Sequence, residues 1–242
     1  MRELVMRYEI VQLFNSLINS HINDIDSVAI VGGSREEVEL SALPTHLRSN
    51  VVVFGIDNDS DEYLDLNKES SIERTFDLVL CSQVLEHIWN LDQAFSNLSK
   101  MLSSTGLLWV ACPASNRAHG SPEYYSAGYQ PELLSLVGEK YSLETISRGR
   151  LGSERCYFMT HGLSVWPGEQ EHLHPIRKYQ FSRLPGPRWK NYLRFCRDFP
   201  SRLFAIQKSP LIGDDIRYAT ETYVLFRRNA NSRKSDGAKE QA

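Results

Sequence analysis

The sequence predicts an α/β fold with a doubly wound, mostly parallel sheet. Short apolar runs rich in β-branched residues recur between residues 27 and 111, as expected of strands that are covered on both faces. Segments with helical spacing separate these runs, and glycine, proline or aspartate follows several of them. This alternation of strands and helices predicts a parallel sheet with helices on both of its faces.

The elements follow in order along the first half of the chain. Apolar residues at three- and four-residue spacing predict a helix within residues 8–22. A second helix is predicted over residues 35–43, where Pro44 closes it, and a third over residues 84–102, where Gly106 breaks the pattern. The predicted strands are short and apolar, and they lie at residues 27–31, 50–56, 62–66, 76–82 and 107–111.

The second half of the chain has a less regular pattern. A helix is predicted over residues 130–139, a strand over residues 141–148, and an antiparallel last strand over residues 220–227. Residues 161–213 contain most of the prolines, and their apolar residues show no clear period. This pattern predicts a C-terminal insertion packed over the sheet, and such insertions often form lids.

These patterns predict one domain over residues 1–228, with residues 1–26 as its N-terminal helical segment. The polar residues 229–242 contain no aromatic side chain, so a disordered tail is expected there.

The composition restricts the class of partner. A net charge of -3 shows no basic excess that would favour nucleic acid. The four cysteines lie far apart, without a C-x-x-C pair, so neither a zinc cluster nor a disulfide framework is indicated. Charges interrupt the apolar N-terminal positions, and no stretch is long enough to span a membrane. We therefore expect a cytoplasmic protein without a metal site.

A ligand site is expected where the parallel strands end at their carboxyl side. Gly32, Gly33 and Ser34 follow the first strand, and small residues there let backbone N–H groups approach a ligand. Asp57 follows the second strand, 25 positions after Gly32, the distance at which such units place a carboxylate that binds ribose hydroxyls.

Residues 76–113, FDLVLCSQVLEHIWNLDQAFSNLSKMLSSTGLLWVACP, strongly resemble the fourth- and fifth-strand region of class I, S-adenosylmethionine-dependent methyltransferases. In that family, an F-D-L-V strand leads into a V-L-E-H turn, a helix, a glycine-containing turn and a strand that ends in proline. The resemblance covers roughly residues 28–137. It implies a Rossmann-like fold and an enzyme that transfers a methyl group from S-adenosylmethionine.

The resemblance also implies cofactor-binding residues. Asp57 resembles the ribose carboxylate, Asp65 and Leu66 resemble the contact with the adenine edge, and Ser82 and Gln83 end the strand beneath the sulfonium. The full set predicted to bind S-adenosylmethionine is Gly32, Gly33, Ser34, Asp57, Asn58, Asp65, Leu66, Ser82 and Gln83.

The glycine motif departs from the family pattern. Ile30 stands where the family has an acidic residue, and only Gly32 and Gly33 remain of three spaced glycines. Because isoleucine cannot bind the cofactor's ammonium group, Glu36 or Glu37 is a candidate substitute. The departure keeps open a non-catalytic, methyltransferase-like binding or scaffold protein. An NAD(P)-dependent oxidoreductase is less favoured, because two glycines of the dinucleotide fingerprint are missing.

Methyl transfer is an in-line displacement from a cationic sulfur, so the protein aligns donor and acceptor and removes the proton of a hydroxyl acceptor. His87 is the best candidate base, because histidine titrates near neutral pH. His119, Pro122 and Tyr125 fit the His-x-x-Pro-x-x-Tyr stretch of methyltransferases acting on bacterial surface glycans and small metabolites. The predicted catalytic residues are thus His87, His119 and Tyr125.

The resemblance implies an acceptor that is sugar-containing or otherwise small and polar, methylated on oxygen in preference to nitrogen. Structural roles are the alternatives for the same residues: Glu86 and His87 as a helix cap, and His119 and Tyr125 as loop packing. The oligomeric state stays open, with a homodimer as one of its options.

Overall fold

The structure is a computed structural model, and it describes residues 8–115, 123–152, 211–213, 219 and 221–229. Within these ranges, eight strands form one sheet in the order β3-β2-β1-β4-β5-β8-β6-β7. The strands are β1 (Val28–Val31), β2 (Val52–Gly55), β3 (Glu62–Tyr63), β4 (Phe76–Ser82), β5 (Leu102–Pro113), β6 (Leu143–Gly152), β7 (Leu211–Gly213) and β8 (Glu221–Arg228). The α-helices of the described residues are α1 (Tyr8–Ile18), α2 (Thr45–Arg48), α3 (Leu91–Lys100) and α4 (Pro131–Lys140).

Strand direction follows the predicted fold class. The pairs of β1 with β2, β1 with β4, β2 with β3 and β4 with β5 are parallel. The last strand, β8, runs antiparallel to both β5 and β6, and β7 pairs antiparallel with β6 at the edge. A Rossmann-like, mostly parallel sheet with an antiparallel last strand is therefore confirmed. Of the predicted insertion at residues 161–213, only β7 belongs to the described residues, and of the predicted tail only Asn229 does.

Two apolar cores cover the two faces of this sheet. Alternate residues of each central strand point to opposite faces, so Ala29 lies in one core and Ile30 in the other. Helix α3 packs on the first face, while α1 packs on the second through side chains such as Phe14. Trp109 of β5 is fully buried on that second face and lies between Phe14 and Tyr223, with ring centroids 5.1 Å and 5.6 Å away. These aromatic contacts connect the N-terminal helix to the last strand.

Two predicted helices were wrong in extent. Residues 35–43 do not form one helix: a 3-10 turn spans Val38–Ala42, and Pro44 precedes helix α2 instead of closing a helix. The Pro44 carbonyl accepts hydrogen bonds from the N–H groups of Leu47 and Arg48, and a helix start does not need the backbone N–H that proline lacks.

The predicted helix 84–102 is likewise divided. A 3-10 turn spans Leu85–His87, and the Asn90 side chain accepts a hydrogen bond from the N–H of Gln93, so α3 begins only at Leu91. Strand β5 begins at Leu102, and the predicted break at Gly106 lies inside it.

Asp77 connects three segments at the amino end of the sheet, opposite the expected ligand edge. Its carboxylate accepts hydrogen bonds from the N–H groups of Asp26 and Ser27 and from the hydroxyls of Ser27 and Ser103, at 2.7–3.2 Å. Burial by itself raises the pKa of Asp77, but these hydrogen bonds outweigh it and hold the pKa below its ordinary value.

Asp77→Asn is expected to lower the free energy of unfolding by about 1.5–3 kcal/mol at pH 7, the usual range for hydrogen bonds to a charged group. Because the folded-state pKa is depressed, this contribution is present above the ordinary aspartate pKa of about 3.9 and is lost as pH falls through the folded-state value. Urea unfolding between pH 7 and pH 2.5 should show the two proteins converging in acid. Asp26→Asn is the control, and a gap that stays constant down to pH 2.5 would contradict the assignment.

Candidate ligand site at the carboxyl edge of the sheet

Strand order reverses between β1 and β4, and open α/β sheets bind ligands outside the carboxyl ends of the strands at such a point. The turns that follow β1, β2 and β4 meet at this edge. The N–H of Gly32 donates to the carbonyl of Phe54 in β2 at 2.7 Å, and the N–H of Gln83 donates to the carbonyl of Ala111 in β5 at 2.7 Å. The structure thus brings together the three segments that the sequence singled out.

The turn after β1 requires glycine at its first position. Gly32 has a φ of +73°, and a Cβ there would lie 2.7 Å from Cγ2 of Val84, in the turn after β4. A Cβ on Gly33 would lie 2.5 Å from Oε1 of Glu37. Gly32 and Ser34 are exposed, so the backbone of this turn is accessible to a ligand between the two strands.

Asp57 and Asn58 lie in the tight turn that follows β2, and both are exposed. The carbonyl of Asp57 accepts a hydrogen bond from the N–H of Ser60 at 3.2 Å, which closes the turn. Ile56, directly before Asp57, is 58% exposed and presents an apolar side chain beside this carboxylate. The turn therefore combines a solvent-accessible carboxylate with an apolar surface.

Asp65 and Leu66 are placed less favourably for a ligand. Oδ1 of Asp65 accepts a hydrogen bond from the N–H of Asn67, and Oδ2 forms an ion pair with Lys68 at 2.9 Å. Burial by itself raises the pKa of Asp65, but Lys68 and Asn67 outweigh it and lower the pKa. The Leu66 side chain lies in the core at 3% exposure, so only its backbone groups are suited to an adenine contact.

The side chains of Ser82 and Gln83 donate hydrogen bonds to two glutamates that were not predicted from the sequence. The Ser82 hydroxyl donates to Oε1 of Glu39 at 2.7 Å, and both residues are buried. Nε2 of Gln83 donates to Oε2 of Glu221 at 2.7 Å, and Glu221 begins β8 opposite Pro113. No local motif marks these partners, because a 3-10 turn and the antiparallel pairing of β8 bring them to the edge.

His87 ends the 3-10 turn after β4, and its ring packs against the segment beginning at Glu123. Nδ1 of His87 lies 2.6 Å from the carbonyl oxygen of Glu123, and the Tyr124 ring meets the imidazole edge-on at a centroid distance of 5.9 Å. The N–H of Tyr125 donates to the carbonyl of Glu86 at 2.8 Å, while the Tyr125 side chain is 53% exposed.

Tyr124 therefore contacts His87, although the sequence motif selected Tyr125. Burial, with a smaller effect from the Glu86 carboxylate, raises the pKa of Tyr124, so its hydroxyl stays protonated at neutral pH. His119 lies outside the described residues.

The buried thiols at this end of the sheet are not nucleophiles. Burial raises the pKa of Cys81 and of Cys112, and nearby glutamates add to the effect: Glu86 and Glu37 for Cys81, Glu86 and Glu221 for Cys112. The same carboxylates give the edge a negative potential, which favours a ligand that carries positive charge. In the part of the chain that the structure describes, no group of three potential ligands could hold a metal ion, and no helix is long and apolar enough to cross a membrane.

Comparison with known proteins gives a family match over the centre of the sheet. Residues 57–110, from the turn after β2 to β5, match the family model described as a methyltransferase domain. The sequence matches none of the curated proteins.

Solved structures with a similar fold include two methyltransferases. One is the O-methyltransferase of a trans-AT polyketide synthase multienzyme of Brevibacillus brevis, in complex with S-adenosylhomocysteine; it is 11% identical, with a TM-score of 0.49, over 94% of this chain and 79% of that chain. A SAM-dependent methyltransferase from Archaeoglobus fulgidus is 12% identical, with a TM-score of 0.47, over 94% of this chain and 100% of that chain.

Proposed function

We propose that this chain is a class I, S-adenosylmethionine-dependent methyltransferase that methylates an oxygen, in preference to a nitrogen, of a sugar-containing or other small polar acceptor. One observation supports the proposal most directly: the residues that match the methyltransferase family include turns that form the ligand edge of the sheet. The matched residues include Asp57, in the turn after β2, and Ser82 and His87, at the end of β4 and in the turn after it. These two strands flank β1 in the sheet.

The residues at the edge fit the cofactor. Asp57 would bind the ribose hydroxyls, the backbone of exposed Gly32 and half-buried Gly33 would bind the methionine end, and Ile56 would pack on the adenosine. A Cβ on Gly33 would meet the carboxylate of Glu37, and the negative edge suits a ligand with a cationic sulfonium. When bound, S-adenosylmethionine supplies the electrophilic methyl group.

His87 is suited to remove a proton from an acceptor hydroxyl. A carbonyl oxygen can only accept, so the contact with Glu123 requires the hydrogen of the neutral imidazole to lie on Nδ1. Nε2 is then the basic nitrogen, and the hydrogen bond holds the ring in one orientation. This geometry supports an oxygen acceptor, because a neutral amine can attack without a base. Tyr125, exposed beside His87, and His119 are proposed to contact the acceptor.

A transfer assay with S-adenosylmethionine labelled in its methyl group tests the function. The acceptor panel should contain neutral sugars, nucleotide sugars, and amino sugars with matched hydroxyl-only analogues. We expect label on oxygen of at least one hydroxyl acceptor. Label found only on amines would overturn the oxygen assignment. Cofactor binding without transfer to any acceptor would favour the scaffold hypothesis instead.

We further propose a cytoplasmic enzyme of glycan biosynthesis. The buried, free thiols of Cys81 and Cys112 are compatible with a reducing compartment. The single domain over residues 1–228, the lid at residues 161–213 and a homodimer stay predictions. Light scattering with and without S-adenosylhomocysteine tests the oligomeric state directly.

A further inference from the structure

Gly33 is enclosed between the side chains of two residues close to it in sequence, Ile30 before it and Glu37 after it. The point where its Cβ would stand lies 3.0 Å from Cγ2 of Ile30 and 2.5 Å from Oε1 of Glu37. Both side chains therefore border the same small volume at the turn after β1. One of them is apolar and the other carries a carboxylate.

Ile30 leaves its position without a charged group. It is 1% exposed and belongs to the core that includes Leu78 and Leu80 of the neighbouring strand β4. An acidic side chain buried at position 30 would need a polar partner to offset its desolvation. The position is occupied by the apolar side chain of Ile30 instead.

Glu37 reaches the turn because the chain folds back after Ser34. The N–H of Glu37 donates to the carbonyl of Ser34 at 3.1 Å, which returns residue 37 to Gly33. Glu36 is exposed, and its N–H donates to the Ser34 hydroxyl on the outside of the same turn. Glu39 is fully buried, and Ser82 donates a hydrogen bond to its carboxylate. Of these three glutamates, Glu37 is the one whose carboxylate borders Gly33.

We infer that the Glu37 carboxylate binds the ammonium group of S-adenosylmethionine and replaces, from the far side of the glycine turn, the acidic group that position 30 lacks. The inference rests on the proposed function, because it concerns the same cofactor. It assigns Glu37 as a cofactor-binding residue: the ion pair fixes the amino-acid end of the cofactor at the turn. The negative charge of Glu37 also raises the pKa of Cys81 in β4. Glu37 therefore lies near the point between β1 and β4 where strand order reverses.

Isothermal titration calorimetry with three ligands tests this inference. S-adenosylmethionine and S-adenosylhomocysteine carry the ammonium group, whereas 5′-methylthioadenosine keeps the adenosine and lacks the amino-acid part. Glu37→Gln is expected to weaken binding of the first two about ten- to hundredfold, as for loss of a charge-assisted hydrogen bond. Its affinity for 5′-methylthioadenosine should stay within about twofold of wild type. Glu36→Gln, the matched control, should leave the affinity for all three ligands unchanged.

Two results would overturn the inference while the proposed function stands. Glu37→Gln could bind S-adenosylmethionine as wild type does, or it could lose affinity for 5′-methylthioadenosine equally, which would indicate a disturbed turn. Failure of the wild-type protein to bind any of the three ligands is a different result, and it would refute the proposed function together with the inference. Circular dichroism of each variant checks that the sheet is intact.

Discussion

Asp57→Ala is expected to weaken S-adenosylmethionine binding about ten- to hundredfold, because paired hydrogen bonds from ribose hydroxyls to a carboxylate are worth roughly 1.5–3 kcal/mol. Asp57 is exposed in the turn after β2, next to the apolar Ile56 and one strand away from the glycine turn. Its removal should cost little stability, since the turn is closed through the Asp57 backbone carbonyl. Calorimetry with S-adenosylmethionine gives the change directly.

Asp59→Ala is the matched control for this measurement. Asp59 lies two positions further along the same exposed turn, so its loss changes net charge equally. We expect Asp59→Ala to keep near wild-type affinity and Asp57→Asn to lose much of it. Equal affinity in wild type and Asp57→Ala would remove the ribose role from this residue.

His87→Gln is expected to lower kcat about 10²- to 10⁴-fold, the usual contribution of a positioned general base, while the Kd of S-adenosylmethionine stays unchanged. Glutamine keeps an N–H that can donate to the Glu123 carbonyl, so the segment at Tyr124 should remain in place. It removes the basic nitrogen. Steady-state kinetics with the acceptor identified by the labelled-methyl assay give kcat and KM separately.

Added imidazole distinguishes a base from a structural residue at this position. His87→Ala leaves space beside Tyr124, and we expect millimolar imidazole to restore part of its kcat, whereas the larger glutamine side chain should restrict this rescue. A loss of activity that imidazole does not change and that appears entirely in KM would assign His87 to packing of the Leu85–His87 turn instead.

Local sequence was sufficient to predict the presence and order of every described strand except β7, which was not predicted. Strands such as β1 and β4 are buried on both faces, and that burial requires the continuous apolar runs by which they were predicted. Helix limits were less predictable, because Asn90 and Pro44 act through individual caps and turn geometry that periodicity does not describe.

The sequence by itself determined the class of fold, the glycine turn and the turn at Asp57, because each depends on residues adjacent along the chain. Only the tertiary structure decided which glutamate borders Gly33 and what Ser82 and Gln83 contact. Ser82 meets Glu39 across 43 positions, and Gln83 meets Glu221 across 138 positions. Such contacts arise from how the strands pair and how the turns fold back over them, so Glu39 and Glu221 carry no local signature in the sequence.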